Sequence, residues 1–166
     1  MIQNLKNKTF IFESLPQTID ELQSYSLKDP FETAALAIAV LYHFEHDIEH
    51  AFTLLNHLKG PSPMSVFERD FIKERLKQKG YKIRSFFEGS TPENQYQPTL
   101  PYTIHFYETI YSQVDVNWMT LYVKSSGAGS LRGIKLRQKP STGQWFLNKL
   151  QCLSDIRLPS EEDPWA

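Results

Sequence analysis

Between His43 and His50 the chain gathers three imidazoles, His43, His46 and His50, and three carboxylates, Glu45, Asp47 and Glu49. Imidazole nitrogens and carboxylate oxygens are common ligands of zinc and other first-row metals, and on one unbroken helix His46 and His50 would share a face four residues apart. Asp47 works against that geometry. A short acid ahead of helix-forming residues is a good N-cap, and a helix starting there would break the preceding one at His46 and separate the ligands. The spacing therefore predicts a solvated interhelical turn and no metal site. His57 reads as a polar position on the helix that follows.

The other chemistry-bearing residues are sparse. Residues 124–132 (KSSGAGSLR) offer hydroxyls, backbone amides and the cations Lys124 and Arg132 around two glycines, which could hold a phosphate or carboxylate. The Walker spacing is absent and a strand pattern follows instead of a helix, so a flexible turn between strands is the better reading. Cys152 would need a neighbouring cation to form a thiolate; between Leu150, Leu153 and Ile156 it reads as a semi-buried structural thiol. No nucleophile elbow, no HExxH helix and no privileged carboxylate pair occurs, so no catalytic, cofactor or metal residue is assigned. Leu15 to Thr18 (LPQT) resembles a sortase signal only superficially, without the following Gly or an apolar anchor.

Eighteen basic and nineteen acidic residues in 166 give a net charge of -1, which argues against nucleic-acid or anionic-membrane partners. Charge is unevenly spread, with the first 60 residues acidic and residues 103–158 mildly basic. Lys135, Arg137 and Lys139 alternate along one strand, with Arg132 and the aromatics Tyr107, Tyr122 and Trp145 nearby. That set could in principle grip phosphates and stack bases, but alternating cations on the wet face of a strand also keep it soluble, and no nucleic-acid partner is expected. A single cysteine, no secretory leader and no long apolar run point to a reducing cytoplasm and no membrane span.

The elements divide at residues 89–101, a Pro-punctuated loop. Before it, helices open at Thr18 with Glu21, Asp29 with Pro30 and Glu32, Asp47, and Ser65 with Glu68, each an oxygen-bearing N-cap, three of them with a carboxylate three residues on. Gly60 with Pro61, and Gly80, read as helix C-terminal stops. The helix from Asp29 is apolar on nearly every side and should be the buried centre. Ile48, Ala51, Phe52, Leu55 and Leu58 form one inward stripe; Phe67, Phe71, Ile72 and Leu76 form another. After the loop the period becomes two over residues 103–109, 118–124, 133–139 and 144–150, the last two joined as a hairpin through residues 140–143. These patterns predict an α+β fold: about four N-terminal helices packed on a C-terminal antiparallel sheet of about four to five strands, in a single domain over residues 1–166, with residues 1–14 as a loosely ordered arm. Trp165, in an otherwise polar segment, should be docked.

Residues 58–61 (LKGP), 86–96 (FFEGSTPENQY), 123–128 (VKSSGA), 144–147 (QWFL) and 162–166 (EDPWA) resemble, in content and order, a bacterial domain family of unknown function, one of the numbered DUF families. The resemblance implies a bacterial single-domain protein and carries no activity or site residue with it. Architecture alone is also similar to cystatin-like and nuclear-transport-factor-like folds, whose curved sheets can enclose an apolar pocket. The sequence favours a noncatalytic interaction or accessory module, with a protein partner or self-association, because no catalytic constellation stands out while the Pro-punctuated loop at residues 89–101 and the aromatic surface candidates suit partner recognition. The alternative is a small-ligand-binding protein or enzyme using a pocket between sheet and helices, which would show an enclosed concavity with convergent polar groups.

Overall fold

The structure is a computed structural model that describes residues 5–113 and 115–166. In chain order the elements are β1 (Asn7–Phe12), α1 (Ile19–Gln23), α2 (Pro30–Leu41), α3 (Ile48–Lys59), α4 (Val66–Leu76), α5 (Tyr81–Arg84), β2 (Tyr102–Tyr107), β3 (Trp118–Val123), β4 (Arg132–Lys139) and β5 (Gln144–Gln151), with 3-10 turns at Tyr42–Glu45 and Pro92–Asn94. The fold is α+β, as the patterning predicts. All four expected N-caps form: Thr18, Asp29, Asp47 and Ser65 accept from the amides of Glu21, Phe31, His50 and Glu68 at 3.1, 2.9, 3.0 and 3.1 Å.

α2 is the centre of the molecule. Ten of its twelve residues are buried, and it touches all five strands on one side and α3 on another. Ala34, Ala35, Ala37 and Ala39 keep its surface thin, so the backbone can approach the sheet while Leu36, Ile38 and Leu41 fill the space between neighbours. Thr33 is its one buried polar residue, and its hydroxyl donates to Trp145 O on β5 at 2.8 Å, which removes the desolvation cost.

The strands form an antiparallel meander in the order β1-β2-β3-β4-β5. Phe12, Ile104, Phe106, Leu121, Val123, Ile134, Leu136 and Leu147 face the helices; Thr9, His105, Tyr107, Trp118, Tyr122, Lys135 and Arg137 lie on the alternate face. Residues 1–4 of the expected loose arm lie outside the described residues, and the rest of it is not simply loose. Asn7–Phe12 pairs along its whole length with β2, adding an edge strand that its lone buried end, Phe12, gave little sign of. At the opposite edge the outer side of β5 is covered by the helical half: Trp145 N donates to Leu27 O at 2.6 Å and Lys59 Nζ to Asn148 O at 2.9 Å.

Four further expectations are corrected. Gly80 does not stop α4; Gln78 takes the left-handed conformation (φ 58°) after that helix ends at Leu76, and Gly80 instead opens α5. The need for glycine there is space, because a Cβ on Gly80 would meet the side chain of Glu45, which pairs with Arg84. Residues 89–101 do not form a free recognition loop: Thr91 and Asn94 cap each other's backbone, and the fully buried Tyr96 stacks on Tyr81 with its hydroxyl donating to Arg157 O at 2.7 Å. Trp145 is buried in the core and not a surface aromatic, because its place in β5 turns it toward α2. Trp165 is not docked; it is 94% exposed.

Gly60 does end α3 as expected, at φ 61°, and the ring of Phe146 fills the space beside it so closely that a Cβ would lie 2.4 Å from Phe146 Cδ1. Gly143, in the β4–β5 turn, has φ 75° but open space around it. Gly60→Ala should therefore cost about 2–4 kcal/mol of unfolding free energy, strain plus clash, and Gly143→Ala only about 1 kcal/mol from strain. Urea denaturation of the two variants measures the difference, and equal losses would show that the Phe146 wedge is not a constraint.

Candidate functional site

The feature that best fits a binding role is an apolar groove of about 330 Å³ between α4 and β5, lined by Leu55, Met64, Phe67, Phe71, Ile72, residues 147–151, Leu153 and Ser154, with Lys59 and Glu68. Its walls follow from local sequence. Met64 N donates to Asn56 Oδ1 at 2.8 Å, which turns the chain sharply after α3, and Ser65 then caps α4. Arg69 forks onto Glu49 at 2.8 and 3.1 Å while its guanidinium lies 5.0 Å from the Phe52 ring, so the charged side of α4 is latched to α3. Ile72 and Leu76 then point into the core. The expected inward stripe is only half inward: Phe67 is 80% exposed and its neighbour Val66 75%, because α4 turns only Ile72 and Leu76 into the core and leaves its first turn in solvent.

A buried charge sits in the wall of the groove. Lys135 lies opposite Lys149 and Leu136 opposite Leu147, so Asn148 is an extra residue in β5, a bulge whose carbonyl is free of the β-ladder. Lys59, 5% exposed, reaches that carbonyl and also Glu68 Oε2 at 2.5 Å. A buried ammonium is costly without such partners, and two of its three donors are thereby engaged. Lys59 thus ties α3, α4 and β5 into one rim.

The sequence candidates are placed elsewhere. Nε2 of His43 lies 2.7 Å from Pro16 O and Nε2 of His50 2.7 Å from Gln17 O; a carbonyl only accepts, so both nitrogens carry protons and hold the segment before α1. Their rings meet edge to face at 5.8 Å, while His46 is exposed beyond the break that Asp47 makes. Among the described residues no group of three or more His, Cys, Asp or Glu side chains is arranged to hold a metal ion. Residues 124–132 are not a slack turn. Ser125 is buried and donates to Ser85 Oγ at 2.7 Å, Ser126 N donates to Ser85 O at 3.0 Å, and Gly127 passes directly beneath the Tyr96 hydroxyl. The hydroxyls of Ser125 and Ser126, the amides of residues 126–128 and the Arg132 guanidinium are thus spent on the fold. On the outer sheet face Lys135 and Arg137 lie 4.9 and 5.0 Å from the Trp118 ring.

Residues 14–160 match the family model of a domain of unknown function, DUF6935. The chain belongs to this family. No curated protein and no solved structure matches it. Within the DUF6935 span four of the segments singled out in the sequence meet in pairs: Gly60 packs under Phe146, joining residues 58–61 to 144–147, and Ser90 Oγ lies 3.4 Å from Ser126 Oγ, joining 86–96 to 123–128. All of β1 and residues 161–166 fall outside the matched span. No helix among the described residues is long and apolar enough to cross a membrane.

Cys152 is fully buried in the DUF6935 core rather than semi-buried, and burial pushes its thiol up to about 12, with Arg132 opposing weakly. An unfolded chain ionises the thiol near its ordinary value of 9.0. Between those values the unfolded state binds fewer protons than the folded state, so stability falls as pH rises from about 9 toward 12. At pH 10 this amounts to about 1 kcal/mol. The native thiol should resist an aromatic disulfide reagent until urea unfolds the chain, and Cys152→Ala should lose less stability than the parent between pH 8 and pH 10. Equal slopes, or a native thiol that reacts at once, would contradict its burial.

Proposed function

We propose that this DUF6935 domain is a noncatalytic protein-binding module, and that the α4–β5 groove takes an aromatic or aliphatic side chain from a partner segment that carries carboxylates beside that anchor. The observation that carries the reading is Phe67, 80% exposed although it lines a groove whose other walls include Leu55, Ile72, Leu147 and Leu153, with the exposed Val66 next to it in the chain. A large aromatic held in water beside an apolar recess is the usual form of an unfilled contact site. At about 330 Å³ the recess has room for an anchoring side chain and its neighbours and lies at the low end for a small-molecule site.

The charge preference comes from the strand beside it. Lys149 lines the groove and stands directly across from Lys135, two like charges in register, with Arg137 next along β4. Like charges facing each other across strands are unfavourable, and an anionic neighbour would relieve that repulsion. The alternative small-ligand or enzyme reading has less support: the concavity is open at the sheet edge, its lining is mostly apolar, and its buried charge, Lys59, is already committed to Glu68 and Asn148.

Selection of a random peptide library displayed on phage against the parent protein and against Phe67→Glu tests the reading. Phe67 touches little of the fold, so the substitution should change stability by no more than about 0.5 kcal/mol. Enriched peptides should carry Trp, Phe, Leu, Ile or Met within a few residues of Asp or Glu, and should bind Phe67→Glu at least about tenfold more weakly. No enrichment, or enriched peptides indifferent to Phe67→Glu, would remove the groove as the binding site.

A further inference from the structure

Trp165 is 94% exposed, more than any other large hydrophobic side chain among the described residues. It is held out in water by defined turns. Ser160 N donates to Pro92 O and Glu162 N to Pro159 O, each at 2.9 Å; Trp165 N donates to Asp163 Oδ1 at 2.8 Å, and Ala166 N to Asp163 O at 3.2 Å. Residues 160–166 are thus a short, partly pre-ordered segment in which Glu161, Glu162 and Asp163 lead up to an uncovered indole. Pre-ordering lowers the entropic cost of docking such a segment.

The groove has the complementary properties. It offers an apolar recess with Phe67 and Phe71 on one wall and Lys149 on the other, and beyond Lys149 lie Lys135 and Arg137, none of the three in a salt bridge among the described residues. Within one chain the two do not meet: Trp165 stands in solvent and is not among the residues that line the groove. We propose that the segment 160–166 of one copy docks in the α4–β5 groove of a second copy, with Trp165 against Phe67 and Phe71 and the three carboxylates toward Lys149, Lys135 and Arg137. This stands on the groove being the binding site, and it names the partner as the chain itself. Each copy carries both halves of the contact, so reciprocal exchange closes a pair with two buried indoles and leaves no unsatisfied end. Aromatic anchors in apolar recesses dominate such contacts, and the acid-to-lysine attraction weakens as salt screens it.

Sedimentation equilibrium of the full chain tests this, comparing the parent, Trp165→Ser and Phe67→Glu over a concentration series at low and high salt. A labelled synthetic peptide of residues 157–166 is titrated in parallel into Trp165→Ser and into the double variant Trp165→Ser/Phe67→Glu. Both single substitutions lie at exposed positions, and far-ultraviolet circular dichroism checks that they fold. The parent should approach the mass of two chains as concentration rises, less readily at high salt. Each single variant should associate at least about thirtyfold more weakly, and the peptide should bind Trp165→Ser but not the double variant. A parent that stays one chain at every concentration, or association that survives Trp165→Ser, overturns the exchange. The library selection separates the two ideas: if displayed peptides still bind through Phe67, only the self-docking fails; if they do not, the groove fails with it.

Discussion

A helix with no polar face has to be covered on every side, and the rest of this molecule is arranged to cover α2. The sheet supplies one wall, α3 and the Tyr42–Glu45 turn supply others, and Thr33 finds a hydrogen-bond partner in the backbone of β5. Burying ten residues of one helix removes a large block of apolar surface from water, a favourable contribution of about 25 cal/mol per Å² set against the cost of ordering its neighbours. It also explains why β1 is recruited from the far end of the sequence. A four-stranded sheet would leave the β2 side of α2 uncovered, and Phe12 with Phe10 extends the cover, Phe10 meeting Phe106 edge to face at 6.1 Å.

The groove is a by-product of that arrangement. α3 must lie along α2, and its C-terminal end then reaches the edge of β5, where Gly60 yields to Phe146 and Lys59 turns inward to the bulge carbonyl of Asn148. α4 begins only after a tight turn and is latched to α3 through Glu49 and Arg69, so its far end packs while its first turn stays in solvent. Two elements of the rim, the bulge at Asn148 and the buried ammonium of Lys59, depart from local rules, and such departures are expected at functional or strained sites. By contrast His43, His50, Ser125, Ser126 and Cys152 spend their polar atoms on, or bury them in, the fold itself.

Much of the fold was legible in the sequence because it was written in short-range rules. N-caps at Thr18, Asp29, Asp47 and Ser65 need only their own next three residues, and the alternation in β3, β4 and β5 is visible within six to eight. What was not legible depends on partners distant in the chain. β1 exposes most of its residues and is defined by pairing with β2 about a hundred positions away. Gly80 reads as a stop until Glu45 is seen beside it. The groove was hidden for the same reason: Phe67, Phe71, Ile72 and Leu76 share helical spacing, and only the placement of α4 in the fold decides that Ile72 and Leu76 are core while Phe67 is not. The exposure of Trp165 likewise has no local signal, since a lone tryptophan among acids is ordinarily covered.

Native-state hydrogen exchange followed residue by residue tests the dependence on α2 most directly. Amides of α4 should open at lower cost than those of α2 from Ala34 to Leu41, which should exchange only through global unfolding at the full unfolding free energy, because α4 buries only Ile72 and Leu76 and is otherwise held by ion pairs such as Arg69 with Glu49 and Glu68 with Lys59. If α2 amides exchange as readily as those of α4, the helix is not the element on which the fold depends, and the derivation of the groove from its coverage fails with it.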